Sequence, residues 1–357
     1  MISYNPWMKR DWKRLLWRGG KLVLAGLILF FIGWQFKKDL DPPDDPDRPN
    51  IRITEIKLRP VWLAASGTFY LLGVFPAAWF WRHLHHNFGY PLPLYAAVRA
   101  HYIGQLGKYV PGKALAVLMR ANLTHPYGVP YGVSIIISFY EVLTGMAAGG
   151  IVAALVYAVE PPGDLGVGLH PVAIGAVLIG LCGIPLLPGV FNFVVARLSA
   201  RIQAVELYRL PPLRFGALAT GLLVSAAGWW VQGLSWCAML QAVLPDPPPF
   251  TFSLWAQCTA SIAFATVAGF VIVLVPGGFG VRELFLAKLL GFVGPAPYIS
   301  AAAILLRLDW IATEALFALC TYWLKPANQG SGVRGQESGV GNQASNVGES
   351  RTPDPDR

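Results

Sequence analysis

Charge is what this sequence has least of. Asp, Glu, Lys and Arg make up 13% of its 357 residues, about half the share usual in soluble domains. Hydrophobic residues make up 55% and the mean hydropathy is +0.49, so the composition excludes an ordinary soluble protein. Cysteine is equally scarce. The four present, Cys182, Cys237, Cys258 and Cys320, lie in apolar stretches without CxxC spacing, which excludes a disulfide framework and a zinc site. Of six histidines, His83, His85 and His86 cluster, but no acidic or Cys partner accompanies them and no metal site is expected. No Ser-His-Asp set, paired-carboxylate site or soluble cofactor fold is present, so neither catalysis nor a cofactor is expected. Gly107-Lys-Tyr-Val-Pro-Gly112-Lys113-Ala114 nearly matches a phosphate-binding loop, but Ala114 lacks the metal-binding hydroxyl and no strand precedes it. The formal charge of +9 sits at the ends of apolar runs rather than along one face. It reads as a topology signal and not as a nucleic-acid surface.

What remains is a series of apolar runs, each long enough to cross a hydrocarbon core of roughly 30 Å. Lys9, Arg10, Lys13, Arg14, Arg18 and Lys21 precede the run 22–34; no small-residue cleavage site follows, so this reads as an uncleaved first helix. Further spans are expected at 61–81, 129–159, 169–190, 215–243 and 299–324. Arg82 and the neighbouring histidines, Arg197, Arg201, Arg209, Arg214 and Lys325 mark one side, which the excess of basic residues makes cytoplasmic. The acidic and Pro-rich loops 39–50, 160–164 and 244–249 suit the other. The expected organisation is a basic cytoplasmic N-terminus (1–21), a membrane domain (22–324) and a disordered polar tail (325–357), with both termini inside.

Two segments depart from simple spans. Val-Pro-Gly interrupts apolar sequence at 110–112 and again at 275–277, 165 positions apart. Pro removes a backbone donor and Gly tolerates left-handed dihedrals, so each copy ends a helix. In lipid a bare backbone break survives only inside protein or beside an aqueous cavity. The stretches 92–123 and 252–290 therefore read as re-entrant segments broken at Pro111-Gly112 and at Pro276-Gly277-Gly278 with Gly280. The first is entered from inside and the second from outside. The fold class expected is all-α: a polytopic membrane protein of about six full spans and two broken re-entrant segments in an inverted repeat, the arrangement of many transporters.

Charges inside such segments are costly and point to function. Lys113 and Arg120 are seven residues apart and share a helical face just beyond the first break, beside a positive helix N-terminus suited to an anion. Two readings are open for them: binding a lipid phosphate, or snorkelling to the headgroups. Ser134, Ser138, Glu141, Gly145 and Gly149 recur at three- and four-residue spacing, so a polar, small-residue stripe faces a neighbouring helix. Its Glu141 either pairs with a cation lining a cavity or serves as a protonated hydrogen-bonding residue. Arg282 and Glu283 open the helix after the second break; capping explains the glutamate but not the arginine. Arg307 and Glu314 share one face of the last span and Asp309 points nearly opposite. The 165-residue offset sets Arg307 beside Glu141, and an Arg307 to Glu141 contact is expected from it.

The run Val275-Pro-Gly-Gly-Phe-Gly-Val-Arg-Glu283 resembles the most distinctive signature of the flippase-like family named after the transmembrane region of lysyl-phosphatidylglycerol synthase, the membrane half of the bacterial multiple peptide resistance factor. Gly107-Lys-Tyr-Val-Pro-Gly-Lys-Ala-Leu-Ala-Val-Leu-Met-Arg120 resembles its other signature, and Glu141, Arg307 and Glu314 resemble its intramembrane charges. At Ala114 to Val117 the chain departs from the Gly-Glu pair of many relatives. The resemblance spans 22–324 and implies a bacterial inner-membrane protein that moves an anionic phospholipid or lipid-linked carrier between leaflets. Anionic membrane lipids are the expected partners, with a second copy of the chain or an envelope-assembly component as further candidates. Some members add a soluble domain that transfers an aminoacyl group from tRNA to a lipid; here 326–357 is polar and short, so synthase activity is not expected. The alternatives are a non-transporting subunit of an envelope-assembly complex and a membrane enzyme on lipid-linked sugars.

Overall fold

The computed structural model describes residues 57–109, 114–162, 171–202, 210–271 and 281–323. The expected first helix at 22–34, the tail 325–357, and the break residues Pro111, Gly112, Lys113, Pro276, Gly277, Gly278 and Gly280 lie outside them. Ten α-helices and no strands occur among the described residues: α1 (Pro60–Asn87), α2 (Leu94–Gln105), α3 (Ala114–Thr124), α4 (Tyr131–Val159), α5 (Pro171–Gly183), α6 (Pro188–Ile202), α7 (Phe215–Val243), α8 (Phe252–Val271), α9 (Val281–Leu289) and α10 (Ala296–Trp323). The protein is an all-α polytopic membrane protein. By length and apolarity α1, α4, α7 and α8 are each able to cross a membrane, and the bent pair α5–α6 is a fifth candidate.

The order long helix, hairpin, long helix occurs twice, as α1 to α4 and as α7 to α10. Between the two α1 and α7 pack antiparallel. The backbone N–H of Arg59 donates to the Ala242 carbonyl at 3.1 Å, the Ser66 and Ser235 hydroxyls share a hydrogen bond at 3.1 Å, Gly73 meets Gly228, and the Phe80 ring lies on Gly221. Contacts thus recur every seven residues on both helices, the spacing that keeps one face of each helix against its partner. At the centre the backbones touch: a side chain at Gly228 would lie 2.8 Å from the Gly73 carbonyl oxygen. Equivalent helices that run antiparallel are related by a twofold axis perpendicular to both. For spanning helices that axis lies in the membrane plane, which defines an inverted repeat.

The side-chain ties repeat too. Tyr95 and Arg99 at the start of α2 donate to the Thr321 carbonyl at the end of α10, at 3.2 and 3.3 Å. In the second half Ser253 and Gln257, also four residues apart, donate to the Glu160 carboxylate just past the end of α4, at 2.5 and 3.4 Å. Each hairpin is therefore fastened to the closing helix of the other repeat.

The two hairpins differ in length. The limbs α2 and α3 have 12 and 11 residues, about 17 Å each and too short to cross. Beyond the second break α9 has 9, but α8 has 20 residues and is long enough to cross, about 30 Å. It is also the most enclosed candidate span, with 72% of its apolar window buried.

The region expected as one span at 169–190 is bent instead, by 67° between its halves. The cause is local. Leu187 precedes Pro188 and is extended (φ −56°, ψ 128°), because a following proline disfavours the α region and lacks the N–H to continue the helix. Beyond the bend α6 exposes Phe193, Val194 and Leu198.

Candidate functional site

The hairpins bring their charges to the middle of the long helices. Glu141 lies ten residues into α4 and Arg307 eleven into α10, about 15 to 17 Å along each. Both thus lie well inside their helices, more than two turns from either end.

In the first repeat Arg120 of α3 donates to Glu141 Oε2 at 2.7 Å, with Arg120 4% and Glu141 5% exposed. The Nε2 of His101, from α2, lies 3.5 Å from the other carboxylate oxygen. The Arg120 guanidinium also sits 5.8 Å from the centre of the Trp81 ring, whose N–H donates to Ser138 at 3.0 Å. The small-residue stripe of α4 is filled as expected: Ser134 accepts from Thr124, and the Trp229 N–H donates to the Gly145 carbonyl at 2.8 Å while its indole covers Gly149.

The second repeat carries a similar ion pair with the signs exchanged. Arg307 of α10 donates to Glu283 of α9 at 3.1 Å, so here the hairpin supplies the acid and the closing helix the base. The arginine arms repeat as well. Arg120 lies across Gly104, and Arg282 lies across Gly269, each with its Nε 3.1 Å from where a Cβ would stand. Those two glycines are separated by the same 165 positions as the two Val-Pro-Gly copies. Any larger residue would displace an arginine.

The second pair opens onto a cavity. A space of about 30 Å³ is lined by Lys108 and Tyr109 from the first hairpin, Thr266 of α8, Arg282 and Glu283 of α9, and Arg307 and Trp310 of α10. That volume holds one or two waters. Behind Lys108, Glu314 is 1% exposed and accepts from Lys108 Nζ at 2.5 Å and from the Tyr70 hydroxyl. Tyr70 in turn stacks on Trp310 at 4.2 Å. Among the described residues the site thus combines three cations, Lys108, Arg282 and Arg307, with two carboxylates, Glu283 and Glu314. The excess is one positive charge, suited to a single anionic group. Arg282 Nε is buried with no hydrogen-bond partner among the described residues.

Of the residues expected at the site, Arg282, Glu283 and Arg307 converge on this cavity and Glu314 stands directly behind it. Arg120 and Glu141 form a separate, neutralised pair. The expected Arg307 to Glu141 contact is not the one formed: Glu141 takes Arg120 and His101, and Arg307 takes Glu283. The reason is geometric, since Glu141 meets the arginine of its own hairpin and Arg307 the glutamate of its own, so neither is left facing the other. Asp309 faces Gly67 of α1, away from the cavity, as its helical position implies. Lys108, Tyr70 and His101 were not expected; the first lies within the Gly107–Arg120 signature, five residues ahead of Lys113. No group of three or more His, Cys, Asp or Glu that could hold a metal occurs among the described residues.

Fold and site together define a polytopic helical membrane protein in which two pairs of helices, α2 with α3 and α8 with α9, carry buried ion pairs to the middle of the long helices α4 and α10. Residues 50–308 match the family model described as the lysylphosphatidylglycerol synthase TM region, and the chain belongs to that family. A comparison with curated proteins finds no match.

Proposed function

We propose that this protein is a carrier that moves an anionic lipid, a phospholipid or a lipid-linked carrier, between the leaflets of the bacterial inner membrane, with both termini cytoplasmic. The observation that supports this reading best is the cavity beside the middle of α10, lined by Lys108, Arg282 and Arg307 between hairpins of opposite repeats. Three cations so placed are costly in hydrocarbon, so they are kept where a negatively charged group is to be received. The inverted relation of the repeats supplies two interchangeable arrangements for alternating access. The space is water-sized as it stands, so a headgroup enters by parting of the hairpins. On this reading the protein performs no covalent chemistry, and its partner is the lipid itself.

Native mass spectrometry of the purified protein tests the proposal. The expected result is a co-purifying anionic phosphate lipid that is depleted in Arg282→Gln and retained in Arg214→Gln, a change at the exposed start of α7. Equal retention of zwitterionic and anionic lipids by all three proteins would count against it.

A further inference from the structure

Lys108 reaches the cavity from the first hairpin, whereas the cationic and acidic groups it meets there belong to the second repeat. Its ammonium is held by Glu314 Oε1 at 2.5 Å and donates to the Tyr70 hydroxyl at 3.1 Å. One side chain thereby ties the hairpin turn at Leu106–Tyr109 to α10 and α1. By the 165-residue offset the other repeat has Val273 for Lys108 and Gly149 for Glu314, and by the 155-residue offset of the Gly73–Gly228 crossing it has Ser225 for Tyr70, so the sequence does not repeat the device. These three residues are therefore not part of the repeated scaffold. They are an addition on the side that holds the cavity.

We infer that Lys108 is an exchangeable counter-ion: Glu314 holds it when the cavity is empty, an anionic phosphate group takes it over when the cavity is filled, and the exchange releases the first hairpin from α10. Three features carry this. Lys108 lines the same cavity as Arg282 and Arg307, so an anion drawn by those two comes within its reach. The Tyr70 hydroxyl donates to Glu314 independently of Lys108, so the carboxylate keeps a partner when the ammonium leaves. The cavity of about 30 Å³ has room for a water or two but not for a phosphate group with its oxygens. Occupancy and displacement of the hairpin turn are thus the same event, and a ligand shifts a conformation only through such a difference in its contacts.

The inference rests on the lipid-carrier reading, and its test separates the two. Tyr109 lines the cavity beside Lys108. Tyr109→Cys, in a background with the four native cysteines replaced by alanine, reports opening through its rate of maleimide modification. The rate is measured in phosphatidylcholine vesicles, in the same vesicles with phosphatidylglycerol, and in phosphatidylcholine vesicles with inorganic phosphate in the bath. Phosphatidylglycerol is expected to raise the rate on the order of fivefold, the low end of ordinary coupling between sites. A response to inorganic phosphate as well identifies the phosphate group as sufficient; a response to the lipid alone identifies the membrane-bound headgroup. Glu314→Gln is expected to raise the rate in phosphatidylcholine alone, and Lys108→Gln to raise it and abolish the response to phosphatidylglycerol. If Glu314→Gln does not fold, Tyr70→Phe, which removes one hydroxyl of the latch, serves the same comparison. An equal phosphatidylglycerol response in the parent and in Lys108→Gln overturns the exchange while leaving the carrier reading standing. A raised rate in Glu314→Gln with no response of the parent to either anion overturns the exchange and counts against the carrier reading too.

Discussion

Removing the charge of Glu141 isolates the central ion pair of the first repeat. In Glu141→Gln the Arg120 guanidinium, 4% exposed, keeps a neutral acceptor in place of its carboxylate and retains the Trp81 ring face as a further electrostatic partner among the described residues. Breaking a buried pair from one side costs about 3 to 5 kcal/mol, and the retained amide acceptor sets the expectation near the lower figure, about 3 kcal/mol. Arg120→Gln acts from the other side, leaving Glu141 with His101 at 3.5 Å, for a similar loss. Removing both charges with apolar residues of comparable size, Arg120→Met with Glu141→Met, leaves no orphaned ion and is expected to lie within about 1 to 2 kcal/mol of the parent. Reversible unfolding by dodecyl sulfate in mild detergent, followed by circular dichroism, gives the three free energies. With Arg120→Met and Glu141→Met also measured singly to complete the cycle, the coupling between the two sites should reach at least about 2 kcal/mol. Single variants as stable as the parent, or a double variant that loses the sum of both, would refute the assignment of Arg120 and Glu141 as a buried, mutually compensating pair.

Three further outcomes follow from the fold. Gly228→Ala sets a methyl group 2.8 Å from the Gly73 carbonyl and should destabilise by about 1 to 3 kcal/mol. Gly180→Ala, with nothing within 4 Å of the new methyl, should be neutral or gain about 0.5 to 1 kcal/mol in the same unfolding assay. Ser235→Ala removes a hydroxyl bonded to both Ser66 and the Trp310 N–H at 3.1 and 3.0 Å, and should cost about 1 to 3 kcal/mol. Single cysteines at Asp246 and at Arg214, in a cysteine-free background, should react from opposite sides of a sealed vesicle with an impermeant reagent; labelling from one side would contradict the inverted repeat.

Much of the architecture is legible in the sequence because lipid leaves few alternatives. A run without charge must become a helix, and Phe215–Val243 is found where the sequence places it. The hairpins are legible from Pro-Gly in apolar sequence, and the pairing of repeats from the 165-residue spacing. Three things were not. The bend before α6 is hidden because mean hydropathy over 169–190 does not register what Pro185 and Pro188 do to the backbone. The partner of Glu141 is misassigned because an offset reports equivalence, whereas contact depends on distance from the axis. Lys108 is missed because a lysine just ahead of a break reads like a cytoplasmic flank. Its importance comes from Glu314, 206 positions away, which only the packing of α10 against the first hairpin brings to it.

The transbilayer rate of a fluorescent phosphatidylglycerol in vesicles containing the purified protein tests the carrier reading most directly, with quenching from one side as the readout. Phosphatidylglycerol should move faster than phosphatidylcholine, and Arg282→Gln and Arg307→Gln should abolish the difference while Arg214→Gln preserves it. Equal rates for both lipids, or a rate unchanged by either cavity variant, would contradict the account.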